Sequence, residues 1–170
     1  MKFSSTSYDH SSHSLDDKID AAFFKEQAKQ GGFLSYVYGT MSVLLEHVAL
    51  CGRAESLPGI WMDNYLTSLP MKKGLSSSAA VCVLVVKAFA LHYNIPLDTA
   101  EVMDLAYKGE MRTPSHCGKM DQCVAMGGGR AALMTFDDDA VDLQILQSSS
   151  ALHFVVIDLK GEKDTVVILS

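Results

Sequence analysis

Hydrophobic residues recur at helical spacing over the first half of the chain and alternate like strand residues near its end. One helical run starts at residue 14 and stops at Gly31-Gly32. A second run fills residues 33–49 and ends at Cys51-Gly52. The two runs predict two consecutive helices, with apolar positions at Leu15, Ile19, Ala22, Phe23 and Ala28 in the first and at Leu34, Val37, Met41, Leu44, Leu45 and Val48 in the second.

The middle of the chain predicts one strand followed by two helices. Residues 59–69 alternate in polarity as a strand does, and a proline closes the run. An apolar helix is expected over residues 76–93. The next helix starts after Asp98, because Asp98 and Glu101 form a capping-box pattern, and it should run to residue 111.

The last third of the chain predicts mainly strands. Residues 112–118, RTPSHCG, contain proline and glycine and should form a loop before a short helix over 119–126. Strand-like runs then occupy residues 131–136, 141–146 and 152–159. This order of elements predicts an α+β fold with mainly antiparallel strand connections at its end.

The first 17 residues differ from the rest in composition. They are rich in serine, histidine and aspartate and predict a disordered or irregular lead-in, so that the folded domain would occupy residues 18–170. With 170 residues, of which 48% are hydrophobic and 20% charged, the chain can bury the core of one domain.

The charge of the chain argues against a nucleic-acid partner. The formal net charge is −6, and no run of basic residues is longer than Lys72-Lys73. The longest apolar run, residues 79–91, is broken by Lys87 and is too short to cross a bilayer, and the N-terminus has no apolar signal sequence. The four cysteines show no C-x-x-C spacing. The sequence therefore predicts a cytoplasmic protein with reduced thiols and no membrane contact.

A run of three serines, residues 76–78, follows Gly74 and begins the predicted apolar helix. The first N–H groups of a helix are unpaired, and the helix dipole places about half a positive charge beside them. Phosphate binds readily at such a position, and a glycine lets the backbone approach the ligand closely. Ser76 could instead cap the helix with its side chain, as serines commonly do. The loop by itself leaves both interpretations open.

Three segments resemble parts of a known kinase family. Residues 70–80, PMKKGLSSSAA, resemble the P-x-x-x-G-L-S-S-S-A motif of the GHMP kinases, the family of galactokinase and of homoserine, mevalonate and phosphomevalonate kinases. Residues 117–122, CGKMDQ, resemble the C-G-x-M-D-Q of galactokinase and related sugar kinases, and residues 36–39, YVYG, resemble a helix of galactokinases. The likeness covers residues 31–160.

The resemblance implies a fold, a nucleotide and a set of site residues. The fold would be that of the GHMP kinase N-terminal domain, a ribosomal protein S5 domain 2-like α+β fold with a mixed, mainly antiparallel sheet packed with helices. The substrates would be ATP and a small molecule with a hydroxyl group, and Mg²⁺ would offset the phosphate charge. Asp121 would be the catalytic residue, and Ser78 and Glu110 would hold the metal. The nucleotide would contact the loop at Gly74, Leu75, Ser76, Ser77, Ser78 and Ala79.

Other chemistry could come from the segment around residue 117. A thiol or serine nucleophile could use His116 as its base and Asp121 to orient that base. A metal site could form from His116, Cys117 and Cys123, although this set is one ligand short of a tetrahedral site. Lys119 replaces the apolar residue that galactokinases usually carry inside C-G-x-M-D-Q, so it could alter the acceptor pocket or face solvent.

Two segments typical of the family are not found in the sequence. Residues 1–30 contain nothing like its first motif, G-R-x-N-L-I-G-E-H, and the C-terminal domain with its glycine-rich third motif is absent. The expectation is a partial N-terminal domain whose open sheet edges expose apolar surface. The predicted function is phosphoryl transfer from ATP to a hydroxyl, most simply that of a sugar. The alternatives are a mevalonate-type kinase or a non-catalytic remnant that binds nucleotide or a partner chain, and the oligomeric state is not predicted.

Overall fold

The computed structural model of the chain describes residues 1–6, 12–52, 57–115, 117–126, 131–137, 140–147, 150–151, 153–158 and 160–161. These residues form five helices and five strands, which confirms the predicted α+β class. In chain order the elements are β1 (Lys2–Thr6), β2 (Ser12–Asp16), α1 (Ala21–Ala28), α2 (Phe33–Leu50), β3 (Trp61–Asn64), α3 (Ser77–His92), α4 (Thr99–Glu110), α5 (Met120–Ala125), β4 (Ala132–Asp137) and β5 (Ala140–Ile145).

The core of the fold lies between the helices. α2 contacts α1, α3 and α4, and α5 packs against α3 and α4. Both α2 and α3 are apolar around much of their circumference, which is typical of helices that are covered on several sides. Burying each large apolar side chain contributes roughly 1.5–3 kcal/mol of transfer free energy. The core includes Val37, Met41, Leu44 and Val48 of α2, Cys82, Val85, Val86 and Phe89 of α3, and Val102, Leu105 and Ala106 of α4.

Two glycines let α2 and α4 cross in direct backbone contact. A Cβ placed on Gly39 would lie 2.4 Å from the carbonyl oxygen of Gly109, and a Cβ on Gly109 would lie 2.6 Å from the Cα of Thr40. Any larger residue at either position would force the helices apart. Since Glu110 is the next residue along α4, this crossing sets the depth at which its side chain lies.

The helices α2 to α5 begin and end within one residue of the predicted positions. The capping box is also confirmed, because the Glu101 amide donates to Asp98 Oδ1 at 2.8 Å and the Asp98 amide donates to Glu101 Oε2 at 2.8 Å. Helical periodicity and cap chemistry are local properties of the sequence. They predict the ends of a helix correctly where tertiary packing favours the same ends.

The first predicted helix is wrong in its first half. α1 begins only at Ala21, where the Asp20 carboxylate accepts a hydrogen bond from the Phe23 amide at 2.9 Å. Leu15 belongs to β2 instead and is buried opposite Phe3 of β1. Leu15 matches the helical spacing of the following residues by coincidence, because one buried residue in a short strand carries no period of its own.

The prediction of an irregular lead-in over residues 1–17 is also wrong for the two described stretches that form β1 and β2, while residues 7–11 lie outside the described residues. β1 pairs antiparallel with β2 and parallel with β3, so that β1 is the central strand of a three-stranded sheet. Phe3 lies beside Met62 of β3, and both side chains are buried. β3 confirms only the first half of the strand predicted over residues 59–69, since residues 65–69 form no strand. The segment is polar in composition, but its apolar side chains reach the core because β3 supplies a neighbouring strand.

The hairpin of β4 and β5 confirms the strands predicted over residues 131–136 and 141–146. The third predicted strand, residues 152–159, is not formed over its described part, 153–158. A strand needs a neighbour for its backbone groups, and no described strand lies beside this run. The run carries exposed apolar surface of the kind that the sequence predicts, since Phe154, Val155, Val156 and Ile157 are between 73% and 88% exposed.

Among the described residues, α2 is the one helix whose length and apolar composition would allow it to cross a membrane. The fold buries 56% of it, against α1, α3 and α4. Core helices of globular domains have the same length and composition, so these properties of α2 do not point to a membrane span.

Candidate active site

The loop before α3 has an alternating backbone conformation. Lys72, Gly74 and Ser76 have positive φ angles of 55°, 74° and 58°, whereas the residues between them do not. Left-handed residues that alternate with right-handed ones are typical of the concave anion sites called nests, where successive N–H groups turn toward one side. Gly74 adopts such an angle freely, but Ser76 adopts it at a cost of about 1 kcal/mol. The loop therefore holds a strained conformation that suits an anion.

The side chain of Ser76 does not cap α3. Ser76 is the residue before the first turn, yet its hydroxyl makes no hydrogen bond to the amides of that turn. The interpretation of Ser76 as an ordinary side-chain cap is therefore wrong. The N–H groups at this end of a 16-residue helix, together with its dipole, favour a negatively charged ligand.

A pocket of about 420 Å³ joins this loop to α4 and α5. Two of the predicted nucleotide-binding residues do not line it, because Leu75 is 46% exposed at the surface and Ala79 is fully buried in the core. The other predicted site residues all lie in its wall, namely Gly74, Ser76, Ser77, Ser78, Glu110 and Asp121. The structure thus brings together the serine run and both predicted functional carboxylates.

Glu110, the last residue of α4, is completely buried and lines the pocket. Gln122 Nε2 donates a hydrogen bond to its Oε2 at 2.7 Å, whereas Oε1 has no hydrogen-bond partner among the described residues. Burial raises the pKa of Glu110, hydrogen bonding to the Ser78 hydroxyl and the Cys117 thiol lowers it, and the charge of Asp121 raises it again. A buried carboxylate oxygen without a partner is costly, and a cation at that oxygen would remove the cost.

These residues fit Mg²⁺. Mg²⁺ prefers oxygen ligands, takes one or two from the protein and completes its shell with water and phosphate oxygens. The Ser78 hydroxyl and the Glu110 carboxylate are such oxygens in one pocket wall. The described part of the chain contains no group of three or more His, Cys, Asp or Glu side chains that could hold a metal by itself. A metal here would therefore depend on a phosphate ligand for much of its affinity.

The two adjacent lysines have different surroundings. Lys73 Nζ donates a hydrogen bond to the carbonyl of Gly161 at 2.9 Å and lies 3.5 Å from the Asp158 carboxylate. Lys72 lines the pocket. The charge of Lys73 is therefore partly offset by Asp158. Both lysines place positive charge near the loop in a chain that is acidic overall.

Cysteine nucleophile chemistry is not favoured by the geometry. Burial, followed by the nearby Glu110 carboxylate, raises the pKa of the Cys117 thiol to about 12. A thiol with such a pKa stays protonated near neutral pH and is a poor nucleophile. His116, which would be the base in this hypothesis and a ligand in the alternative metal site with Cys117 and Cys123, lies outside the described residues.

Iodoacetamide is expected to modify Cys51 of the folded chain and to leave Cys117 unmodified at about pH 8. Cys51 is exposed, whereas Cys117 is half-buried and ionises only near pH 12. Mass spectrometry after a short exposure measures both sites, and the same treatment in urea, where both should react, is the control. Equal modification of Cys117 and Cys51 in the folded chain would contradict this prediction and support Cys117 as a nucleophile.

Two neighbours of Glu110 are missing from the predicted site. Gln122 is completely buried, and Tyr36 of α2 has its pKa raised by burial while Ser115 lowers it through a hydrogen bond. Gln122 is the last residue of CGKMDQ and Tyr36 is the first residue of YVYG. CGKMDQ and YVYG therefore contain both residues, but a sequence motif does not show which neighbour each side chain contacts.

Lys119 lies over an aromatic ring rather than in the pocket. Its Nζ is 5.2 Å from the centroid of the Tyr107 ring, and Lys119 is not among the residues that line the pocket. Such a cation–π contact contributes about 0.5–1 kcal/mol near a surface. The position of Lys119 therefore favours a structural role over a contact with the acceptor.

Two comparisons with known proteins show a similarity to this chain. Residues 35–129 match the family model described as GHMP kinases N terminal domain. The chain is also 27% identical over 154 residues to a galactokinase of Glaesserella parasuis serovar 5 (strain SH0165), an alignment that covers 88% of this chain and 38% of that protein. The chain thus spans about 38% of the length of this relative. Since the matched region takes up more than half of the chain and contains the serine loop, Glu110 and Asp121, the chain belongs to the GHMP kinase family.

Proposed function

We propose that this chain binds ATP with Mg²⁺ and takes part in phosphoryl transfer to the hydroxyl of a small molecule, most simply a sugar. The observation that supports the proposal best is a single pocket that joins the positive-φ loop to a buried carboxylate with one unpartnered oxygen and to a second carboxylate. Phosphoryl transfer needs these functions together, because it depends on positioning and electrostatics more than on covalent chemistry by the protein.

The loop from Gly74 to Ser78 would bind the phosphates of ATP. Backbone amides at a helix N-terminus recognise phosphate without a long basic side chain, which suits a chain of net charge −6. Ser78 and Glu110 would hold Mg²⁺, and this metal, when bound, offsets the charge of the transferred phosphoryl group.

Asp121 would act on the acceptor. It is half-buried in the first turn of α5 and lines the same pocket as the serine run. A carboxylate in that place can accept the proton of an acceptor hydroxyl, or orient the hydroxyl for attack, when the acceptor is bound beside the phosphate.

The acceptor class is proposed as a sugar on two grounds. CGKMDQ resembles the segment of sugar kinases, and the relative described above is a galactokinase. A mevalonate-type acceptor is the alternative within the family. Nucleotide binding without turnover is a second candidate function, since it would need only the loop and the proposed metal ligands of the pocket. A cytoplasmic location, with no nucleic-acid or membrane partner, belongs to the same proposal.

Replacing Ser78 by alanine is expected to weaken binding of Mg·ATP by about 10- to 100-fold, because a hydrogen bond or ligand to a charged group contributes roughly 1.5–3 kcal/mol. Isothermal titration calorimetry on the full chain measures this change. The exposed Ser68→Ala is the matched control and should bind like the wild type. A folded wild-type chain that does not bind Mg·ATP, or a Ser78→Ala variant that binds it equally well, would contradict the proposed site.

Turnover is tested separately by ADP release with galactose and with mevalonate. Galactose-dependent release of ADP is expected. Release with mevalonate and not with galactose would show that the acceptor is of the mevalonate type. A chain that binds Mg·ATP but releases no ADP with either acceptor would favour the second candidate function, nucleotide binding without catalysis.

A further inference from the structure

Gln122 makes a direct hydrogen bond to the carboxylate of Glu110. Its side chain is completely buried, and its Nε2 donates a hydrogen bond to Glu110 Oε2 at 2.7 Å. The same Nε2 lies 3.6 Å from Cys117 Sγ, so both N–H groups of the amide have acceptors. The orientation of the amide is thereby determined by two partners on different segments.

This arrangement leaves the two carboxylate oxygens of Glu110 unequal. Oε2 accepts from Gln122, whereas Oε1 has no hydrogen-bond partner among the described residues. A hydrogen bond to a carboxylate is short and strong, so it restricts rotation of the carboxylate about its terminal bond. Oε1 is consequently held as the oxygen that is available to a cation in the pocket.

A buried glutamine at this position is not explained by packing alone. Gln122 and Cys123 are the two buried residues of α5, and α5 packs on α3 and α4. An apolar residue of similar volume would fill the space without burying an amide oxygen, and Gln122 Oε1 has no partner among the described residues. The fold therefore buries the Gln122 amide, and the hydrogen bonds of this amide go to Glu110 and Cys117.

We propose that Gln122 is a positioning residue that holds Glu110 Oε2 and so presents Oε1 to the Mg²⁺ of Mg·ATP. This inference rests on the proposed function above and adds a residue to it. Side chains that orient metal ligands through hydrogen bonds typically contribute about 10- to 100-fold in metal affinity. Gln122 contacts neither nucleotide nor acceptor in this proposal, so its effect should be confined to the metal-dependent part of ATP binding.

The test is calorimetric titration of ATP into the full chain, once with excess Mg²⁺ and once with EDTA. The ratio of the two dissociation constants is the metal increment. Gln122→Met, which keeps the volume and removes the amide, is expected to lower this increment by about 10- to 100-fold and to leave the dissociation constant in EDTA unchanged. The exposed Gln144→Met on β5 is the matched control and should keep the full increment.

A double-mutant cycle separates positioning from a general structural role. In a Glu110→Gln background, Gln122→Met should have no further effect on the increment, because Gln122 acts through Glu110. A structural role would instead weaken ATP binding in EDTA as well, and in both backgrounds, and that result would overturn the inference. If Gln122→Met does not fold by circular dichroism, Gln122→Asn decides the matter, since its shorter amide cannot keep the 2.7 Å contact and should lower the increment.

The outcomes also separate this inference from the proposed function. A wild-type chain without any metal increment would overturn the proposed function and this inference with it. A wild-type chain with the increment, together with a folded Gln122→Met or Gln122→Asn variant that retains it, would overturn the role of Gln122 alone.

Discussion

Replacing Asp121 by asparagine is expected to lower the rate of phosphoryl transfer by about 100- to 10,000-fold, the range that a general base contributes. Asparagine has nearly the same shape but cannot accept a proton from the acceptor hydroxyl. Asp121 is half-buried in the first turn of α5, so the amide can occupy the same space. The measurement is ADP release with saturating Mg·ATP and galactose.

Binding of Mg·ATP separates this effect from damage to the site. Asp121→Asn should bind Mg·ATP like the wild type, because the proposed phosphate and metal contacts come from the loop and from Glu110. Asp142→Asn, on the exposed side of β5, is the matched control and should retain full turnover. Turnover that survives Asp121→Asn unchanged would remove Asp121 from its proposed role.

Replacing Gly109 by alanine is expected to lower the free energy of unfolding by about 2–4 kcal/mol. The added Cβ would lie 2.5 Å from Thr40 Oγ1, 2.6 Å from its Cα and 2.9 Å from its Cβ. The Cα and Cβ atoms of Thr40 are fixed by the backbone of α2, so rotation of the Thr40 side chain cannot relieve the overlap. The higher helix propensity of alanine, about 1 kcal/mol, offsets only part of the cost.

Urea unfolding of the full chain measures this change. Gly59→Ala is the matched control, because a Cβ at Gly59 would meet no atom within 4 Å, and its free energy of unfolding should stay near that of the wild type. Any shift of α4 also moves Glu110, so binding of Mg·ATP should weaken in the fraction that still folds. A Gly109→Ala variant as stable as Gly59→Ala would show that α2 and α4 do not cross in backbone contact.

The parts of the fold that could be predicted are those with a local signal. α2, α3 and α4 repeat apolar residues over three or more turns, and the Asp98–Glu101 capping box is complete within four residues. β1 and β2 could not be predicted in this way. Each has five residues and few apolar positions, and their burial depends on β3, more than 40 residues further along the chain.

The sequence by itself determined the chemistry of the candidate site: glycine and serine before an apolar helix, Asp121 in a family-like segment, and Glu110 before it. Only the tertiary structure decided how these groups are used. In the folded chain the Ser76 hydroxyl does not cap α3, and Lys73 lies beside Asp158. Gln122 donates a hydrogen bond to one carboxylate oxygen of Glu110, and the other oxygen has no hydrogen-bond partner among the described residues. The physical reason is that residue types and spacing specify which groups are polar and which face of a helix is buried. The partner of each buried polar group depends on helix crossings such as that at Gly39 and Gly109, which bring distant segments together.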